Sequence, residues 1–91
     1  MNVLIVGGGG REHALAKAIS TSIKCTRLYA APGNPGISKF ATCIELSSDN
    51  NEAIIKECKK FNIELVVIGP EMPLVAGLAD ALRASNILAF G

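Results

Sequence analysis

Residues 3–19 read VLIVGGGGREHALAKAI. Val3, Leu4, Ile5 and Val6 form a short, largely β-branched apolar run that does not alternate and ends in glycine. Such a run is expected of a strand buried on both faces of a parallel sheet. Four glycines, Gly7 to Gly10, follow it. From Arg11 the period becomes helical, with Ala14, Leu15, Ala18 and Ile19 on one stripe and Lys17 and Ser20 off it.

The rest of the chain repeats this alternation. Thr26 to Ala31 reads as a second strand that stops at Pro32. The loop PGNPGISK follows. Thr42 to Leu46 is a weaker third strand. Asp49, with Glu52 three residues on, marks a helix start. Ala53, Ile54, Cys58 and Phe61 give that helix an apolar stripe, and Lys56, Lys59 and Lys60 its solvated face. Leu65 to Ile68 is a second strongly apolar strand, closed by Gly69-Pro70. Pro73 suits a first helical turn, and Leu74, Val75, Leu78, Ala79 and Leu82 form the next stripe. Asn86 suits a left-handed helix stop, and Ile87 to Phe90 is a last strand.

The order β-α-β-β-α-β-α-β predicts an α/β fold: an open, mostly parallel five-stranded sheet with helices on both faces. Right-handed crossovers give the strand order 3-2-1-4-5. The switch point then falls between strands 1 and 4, and ligands of such sheets bind beyond the strands' carboxyl ends at that crevice. GGGGREH, PGNPG and GPEMP are the three loops on that edge. No linker or repeat divides the 91 residues, so one domain, 1–91, is expected. A domain of that size buries roughly 60–65% of the surface its unfolded chain exposes.

Composition narrows the function. The chain is 49% hydrophobic with a net charge of +1, which fits a folded domain. Aromatics are 4% of residues and Trp is absent, so neither a basic face nor stacking platforms point to nucleic acid. Cys25, Cys43 and Cys58 are dispersed and His13 is the single histidine, so structural zinc lacks ligands. Dispersed, unpaired cysteines suit a reducing, cytoplasmic setting, where they act as small core residues. No secretory signal is visible. No apolar run approaches the roughly 20 residues that span a bilayer, so no membrane partner is expected.

The glycine run is not a dinucleotide fingerprint. Gly7 and Gly9 match the first two positions of G-x-G-x-x-G, but Glu12 stands at the third, and the second strand ends without the acid that holds a ribose. What remains is a turn that brings backbone close to a ligand. The N–H groups of Gly9, Gly10 and Arg11 open a helix there and favour an anion or ligand hydroxyls. The plainer reading is that the glycines only make a tight strand-to-helix turn. Glu71 either accepts hydrogen bonds from sugar hydroxyls or an amine, or helps to start the next helix. Asn34 either meets a ligand or supplies a turn. Arg11 and Glu12 either pair with other parts of the protein or, by default, are solvated, and His13 is expected to be a first-turn polar residue. No catalytic triad or acid–base pair is visible.

Together GGGGREHAL, APGNPG and GPEMPLVAG resemble the N-terminal domain of the phosphoribosylamine–glycine ligase family, over the whole length. The resemblance implies a Rossmann-like preATP-grasp domain that forms one wall of a substrate site. It implies an ATP-grasp enzyme of de novo purine synthesis, in which ATP phosphorylates glycine and the amine of 5-phosphoribosylamine attacks the acyl phosphate. Magnesium or manganese would assist. The residues it points to are the turn Gly8, Gly9, Gly10 and Arg11, with Pro32 and Asn34 on the neighbouring wall and Glu71 on ribose hydroxyls. No catalytic or metal-binding residue falls on this chain. ATP and the metal would be held mainly by later domains, so residues 1–91 alone are expected to be inactive. Two other readings are a Rossmann-like module that senses a nucleotide or phosphosugar without chemistry, and an interaction scaffold.

Overall fold

The computed structural model describes residues 1–46, 51–69 and 77–90. Five strands, β1 (Asn2–Gly7), β2 (Arg27–Pro32), β3 (Thr42–Cys43), β4 (Leu65–Ile68) and β5 (Leu88–Phe90), alternate with three helices, α1 (Gly10–Ser20), α2 (Asn51–Lys60) and α3 (Leu78–Ala84). The strands form one sheet in the order β3-β2-β1-β4-β5. Every strand pair is parallel. The architecture expected from the alternation is therefore present, with the crevice between β1 and β4.

β1 is central, and its Val3, Leu4, Ile5 and Val6 are all buried. Alternate residues feed two cores. Leu4 and Val6 join Tyr29, Ala31 and Val66 beneath α2 and α3, through Ile54, Cys58, Leu78 and Leu82. Val3 and Ile5 join Leu28 and Ala30 beneath α1, through Ala16, and meet Ile37 and Ala41. Full burial of one such aliphatic side chain contributes about 1.5–3 kcal/mol.

Left-handed residues close two of the helical segments. Asn86 (φ 62°) follows α3, as its position suggested, and Asn62 (φ 54°) does the same after α2. Asn is the non-glycine residue best suited to that conformation.

Three expectations are corrected. α1 does not bury the stripe Ala14–Leu15–Ala18–Ile19. Glu12 and Ala16 are its buried residues, Ala14 and Ala18 are exposed, and Leu15 and Ile19 are half-buried. The small Ala16 lets the helix approach the sheet, and Glu12 has a hollow of its own, described below. β2 does not stop before Pro32, which pairs with Gly7. Proline has no N–H to give, and the N–H of Gly33 reaches the Gly7 carbonyl instead, at 3.1 Å. β3 is two residues long rather than five. Asp49, Pro73, Leu74 and Val75 lie outside the described residues.

Cys58 sits in the larger core, 1% exposed. Burial, with the Glu57 carboxylate nearby, pushes its thiol up to about 11 from the ordinary 9.0. A thiol whose folded value is raised favours folding below the unfolded value and loses that contribution as pH rises toward the folded one. Unfolding midpoints in urea should therefore fall between pH 9 and 11, and Cys58→Ala should flatten that slope. An unchanged slope in the variant would contradict this account of the thiol.

Candidate functional site at the β1–β4 switch point

The sheet order sets the ends of β1 and β4 side by side, with the end of β2 beyond β1. The chain turns sharply at Gly7 (φ +141°), a backbone conformation that side chains with a Cβ rarely adopt. Gly9 then caps α1 in an extended conformation (φ −94°, ψ −174°).

Glu12 lies at the centre of this corner and is 1% exposed. A Cβ at Gly7 would stand 2.3 Å from Glu12 Oε1, and one at Gly69 would stand 2.6 Å from Glu12 Oε1 and Cδ. The missing side chains of Gly7 and Gly69 therefore create the hollow that the Glu12 side chain fills. The third glycine of a dinucleotide fingerprint lets helix and strand close together. Here a carboxylate takes that place, and the two strand-end glycines make room for it.

The Gly9 N–H donates to Glu12 Oε1 at 3.4 Å. Glu12 Oε2 is buried and has no hydrogen-bond partner among the described residues. The single ion pair among those residues is the exposed Arg83–Asp80 contact at 3.6 Å. A buried carboxylate held by one weak hydrogen bond is costly. Its place in the first turn of α1, at the positive end of the helix dipole, offsets part of that cost.

The solvated role expected of Glu12 is thus corrected. So is the set of free turn donors. Gly9 spends its N–H on Glu12, which leaves those of Gly10 and Arg11. A glutamate at the third fingerprint position, with glycines ending both apolar strands, was the signal in the sequence for this hollow.

The second wall is joined to the first by Asn34. Its Nδ2 donates to the Gly8 carbonyl at 2.7 Å, and its Oδ1 accepts from the Ile37 N–H at 2.8 Å. The second bond anchors the short 3-10 turn Ile37–Lys39. A Cβ at Gly8 would stand 2.6 Å from the Gly33 carbonyl oxygen and 3.7 Å from Pro32 Cγ. The structure therefore brings Gly8, Pro32 and Asn34 together. Gly10 and Arg11 open α1 at the rim, both exposed, and nothing stands within 4 Å of where a Gly10 Cβ would be. Glu71 lies outside the described residues. The His13 ring packs beside Phe40, with centroids 5.8 Å apart, and so braces α1 against the 3-10 turn.

No three His, Cys, Asp or Glu side chains converge among the described residues, so no metal-dependent step is assigned to them. The Cys25 thiol is held above its usual range by burial, slightly offset by the N-terminal ammonium. Neither it nor Cys58 has the depressed value that makes a cysteine nucleophilic.

A doubly wound sheet with a glycine turn at its switch point, backed by a second loop on the same edge, defines a Rossmann-like α/β domain. Its glycine turn departs from the dinucleotide type at Glu12. The family model described as phosphoribosylglycinamide synthetase, N domain, matches residues 1–91, and the chain belongs to that family. A phosphoribosylamine–glycine ligase of Rhizobium meliloti (strain 1021) is 54% identical over 91 residues, which are all of this chain and 22% of that protein. The enzyme of the same name from Mesorhizobium japonicum is 56% identical, again over all of this chain and 21% of the relative. The crystal structure of phosphoribosylamine–glycine ligase from Thermotoga maritima aligns with a TM-score of 0.59 at 32% identity, covering 84% of this chain and 18% of that one. The chain thus spans about a fifth of the length of these relatives.

Proposed function

We propose that this chain is the N-terminal, substrate-binding domain of an ATP-dependent ligase that joins glycine to 5-phosphoribosylamine. The family match over the whole of residues 1–91 carries this reading. In the reaction, a glycine carboxylate oxygen attacks the terminal phosphorus of ATP and ADP leaves. The amine of 5-phosphoribosylamine then attacks the acyl phosphate carbon, a proton is lost from nitrogen, and phosphate departs. The product is glycinamide ribonucleotide, an intermediate of de novo purine biosynthesis. ATP and its magnesium or manganese are assigned to parts of the ligase beyond residue 91, and the setting is cytoplasmic.

This domain supplies one wall of the phosphoribosylamine site. The backbone of Gly8, Gly9 and Gly10 forms its floor, with the N–H groups of Gly10 and Arg11 as donors. Pro32 and Asn34 form the side, and Glu71 accepts from the ribose hydroxyls. The buried Glu12 carboxylate supports a particular orientation. A carboxylate directly behind the turn repels a phosphate there, because like charges in a poorly solvated corner interact strongly. The ribosylamine end, with its hydroxyls and amine, suits the turn, and the phosphate belongs to basic groups elsewhere in the ligase.

The test is turnover by a polypeptide that carries this domain at the head of a full-length ligase. ADP release dependent on both glycine and 5-phosphoribosylamine is expected, with none from residues 1–91 alone. Turnover by the 91 residues, or none by the longer polypeptide, would overturn the reading.

A further inference from the structure

His13 follows the buried Glu12 in the first turn of α1, but it is exposed and lies outside both cores. Its imidazole reaches across to the second loop. A Cβ at Gly36 would stand 3.1 Å from Cε1 and 3.4 Å from Nδ1 of His13, and 3.2 Å from Asn34 Oδ1. Gly36 itself has φ −66° and ψ −44°, a backbone that any residue adopts. Glycine at this position therefore answers to space and not to conformation. The imidazole edge and the Asn34 amide oxygen occupy the room that a side chain would take. Phe40 stands on another side of the ring, with centroids 5.8 Å apart and planes tilted by 34°, an arrangement aromatic pairs favour.

The loop from Pro32 to Gly36 is thus held from several directions. Asn34 Nδ2 ties it to the Gly8 carbonyl at 2.7 Å. Ile37, fully buried beside Ala16, Val3 and Ile5, anchors its far end in the smaller core. His13 meets it at Gly36, from the same helical turn that carries the Gly10 and Arg11 N–H groups assigned to the substrate. An exposed ring laid on a glycine adds little to the burial that holds the domain together, and changes at such surface positions usually alter stability slightly. What the ring does decide is where the loop stands relative to the helix start.

We propose that His13 is a positioning residue for the binding of 5-phosphoribosylamine: wedged between Gly36 and Phe40, it sets the spacing between the Asn34 wall and the glycine floor. The proposal rests on the ligase reading, under which these two loops face the ribosylamine. The contact uses the ring as a spacer and not as a proton carrier. Its loss lets the loop drift from the helix start, so the cost falls on the affinity for the substrate that both loops touch. ATP, assigned to other parts of the ligase, is unaffected.

The test is steady-state kinetics of the full-length ligase. In His13→Ala, KM for 5-phosphoribosylamine should rise about fivefold, as expected for the loss of one ring contact, with kcat and KM for ATP within about twofold of their original values. His13→Phe keeps a flat ring without nitrogens and should recover most of the loss. Gly36→Ala displaces the same ring and should raise the same KM. Both changes break one contact, so the double variant should be no worse than the worse single one. An unchanged KM for 5-phosphoribosylamine in His13→Ala, an equal rise for ATP, a phenylalanine variant as impaired as the alanine one, or effects that multiply in the double variant would each overturn this inference and leave the ligase reading standing. Absence of glycine- and 5-phosphoribosylamine-dependent ADP release from the unaltered ligase would fail the reading itself.

Discussion

Gly7→Ala should cost the 91-residue domain about 3 kcal/mol, a large share of the roughly 5–15 kcal/mol that holds an ordinary domain together. Two penalties add. The new methyl would stand 2.3, 2.7 and 2.8 Å from Oε1, Cγ and Cδ of Glu12, and overpacking of that kind costs about 1–3 kcal/mol. The backbone at φ +141° is also closed to alanine, at a further cost of about 1–3 kcal/mol. The melting temperature should fall by roughly 15 °C, at about 4–8 °C per kcal/mol for a domain of this size.

A second variant separates the two penalties. In Gly7→Ala/Glu12→Ala the clash is gone and the backbone strain stays. The pair should therefore be less destabilised than the sum of the single changes, with a coupling of about 1–2 kcal/mol. Strict additivity would mean that Glu12 does not fill the hollow between Gly7 and Gly69.

Asn34→Ala should have the second largest effect, and should show it in both stability and catalysis. The change removes the 2.7 Å bond to the Gly8 carbonyl and the 2.8 Å bond from the Ile37 N–H. Each is worth about 0.5–1.5 kcal/mol, so a loss of about 2 kcal/mol is expected. In the full ligase the freed loops should lower kcat/KM for 5-phosphoribosylamine about tenfold, equivalent to about 1.4 kcal/mol of transition-state binding. KM for ATP should stay near its original value. Asn34→Asp keeps the acceptor for Ile37 but sets a carboxylate against the Gly8 carbonyl, so it should impair the phosphoribosylamine step at least as much. A wild-type profile in the aspartate variant would show that the Asn34–Gly8 bond does not order the site.

The sheet was legible in the sequence because its signals are local. Val3–Val6 and Leu65–Ile68 are short, apolar and bounded by glycine, and the alternation with helices leaves few topologies. The helix facing was not legible. Ala14, Leu15, Ala18 and Ile19 form a plausible stripe by spacing, yet α1 is turned so that Glu12 and Ala16 face the sheet. Hydropathy places a glutamate in water. Only the joint absence of side chains at Gly7 and Gly69, 62 residues apart in sequence and adjacent in space, makes its burial possible.

The floor and side of the candidate site were legible as loops, because a parallel sheet sends the ends of β1 and β2 to one edge. How the loops join was not. Asn34 reads from sequence as either a turn residue or a ligand contact, and the bond to Gly8 depends on a register that spacing alone does not give.

The most direct test of the central claim is a titration of the isotopically labelled 91-residue chain with glycinamide ribonucleotide, followed by amide chemical shifts. The account predicts saturable shifts at Gly8, Gly9, Gly10 and Arg11 and in the Pro32–Asn34 loop, with α2 and the edge strand β5 unmoved. Shifts confined to other surfaces, or none at millimolar ligand, would contradict the placement of the phosphoribosylamine wall at the glycine turn.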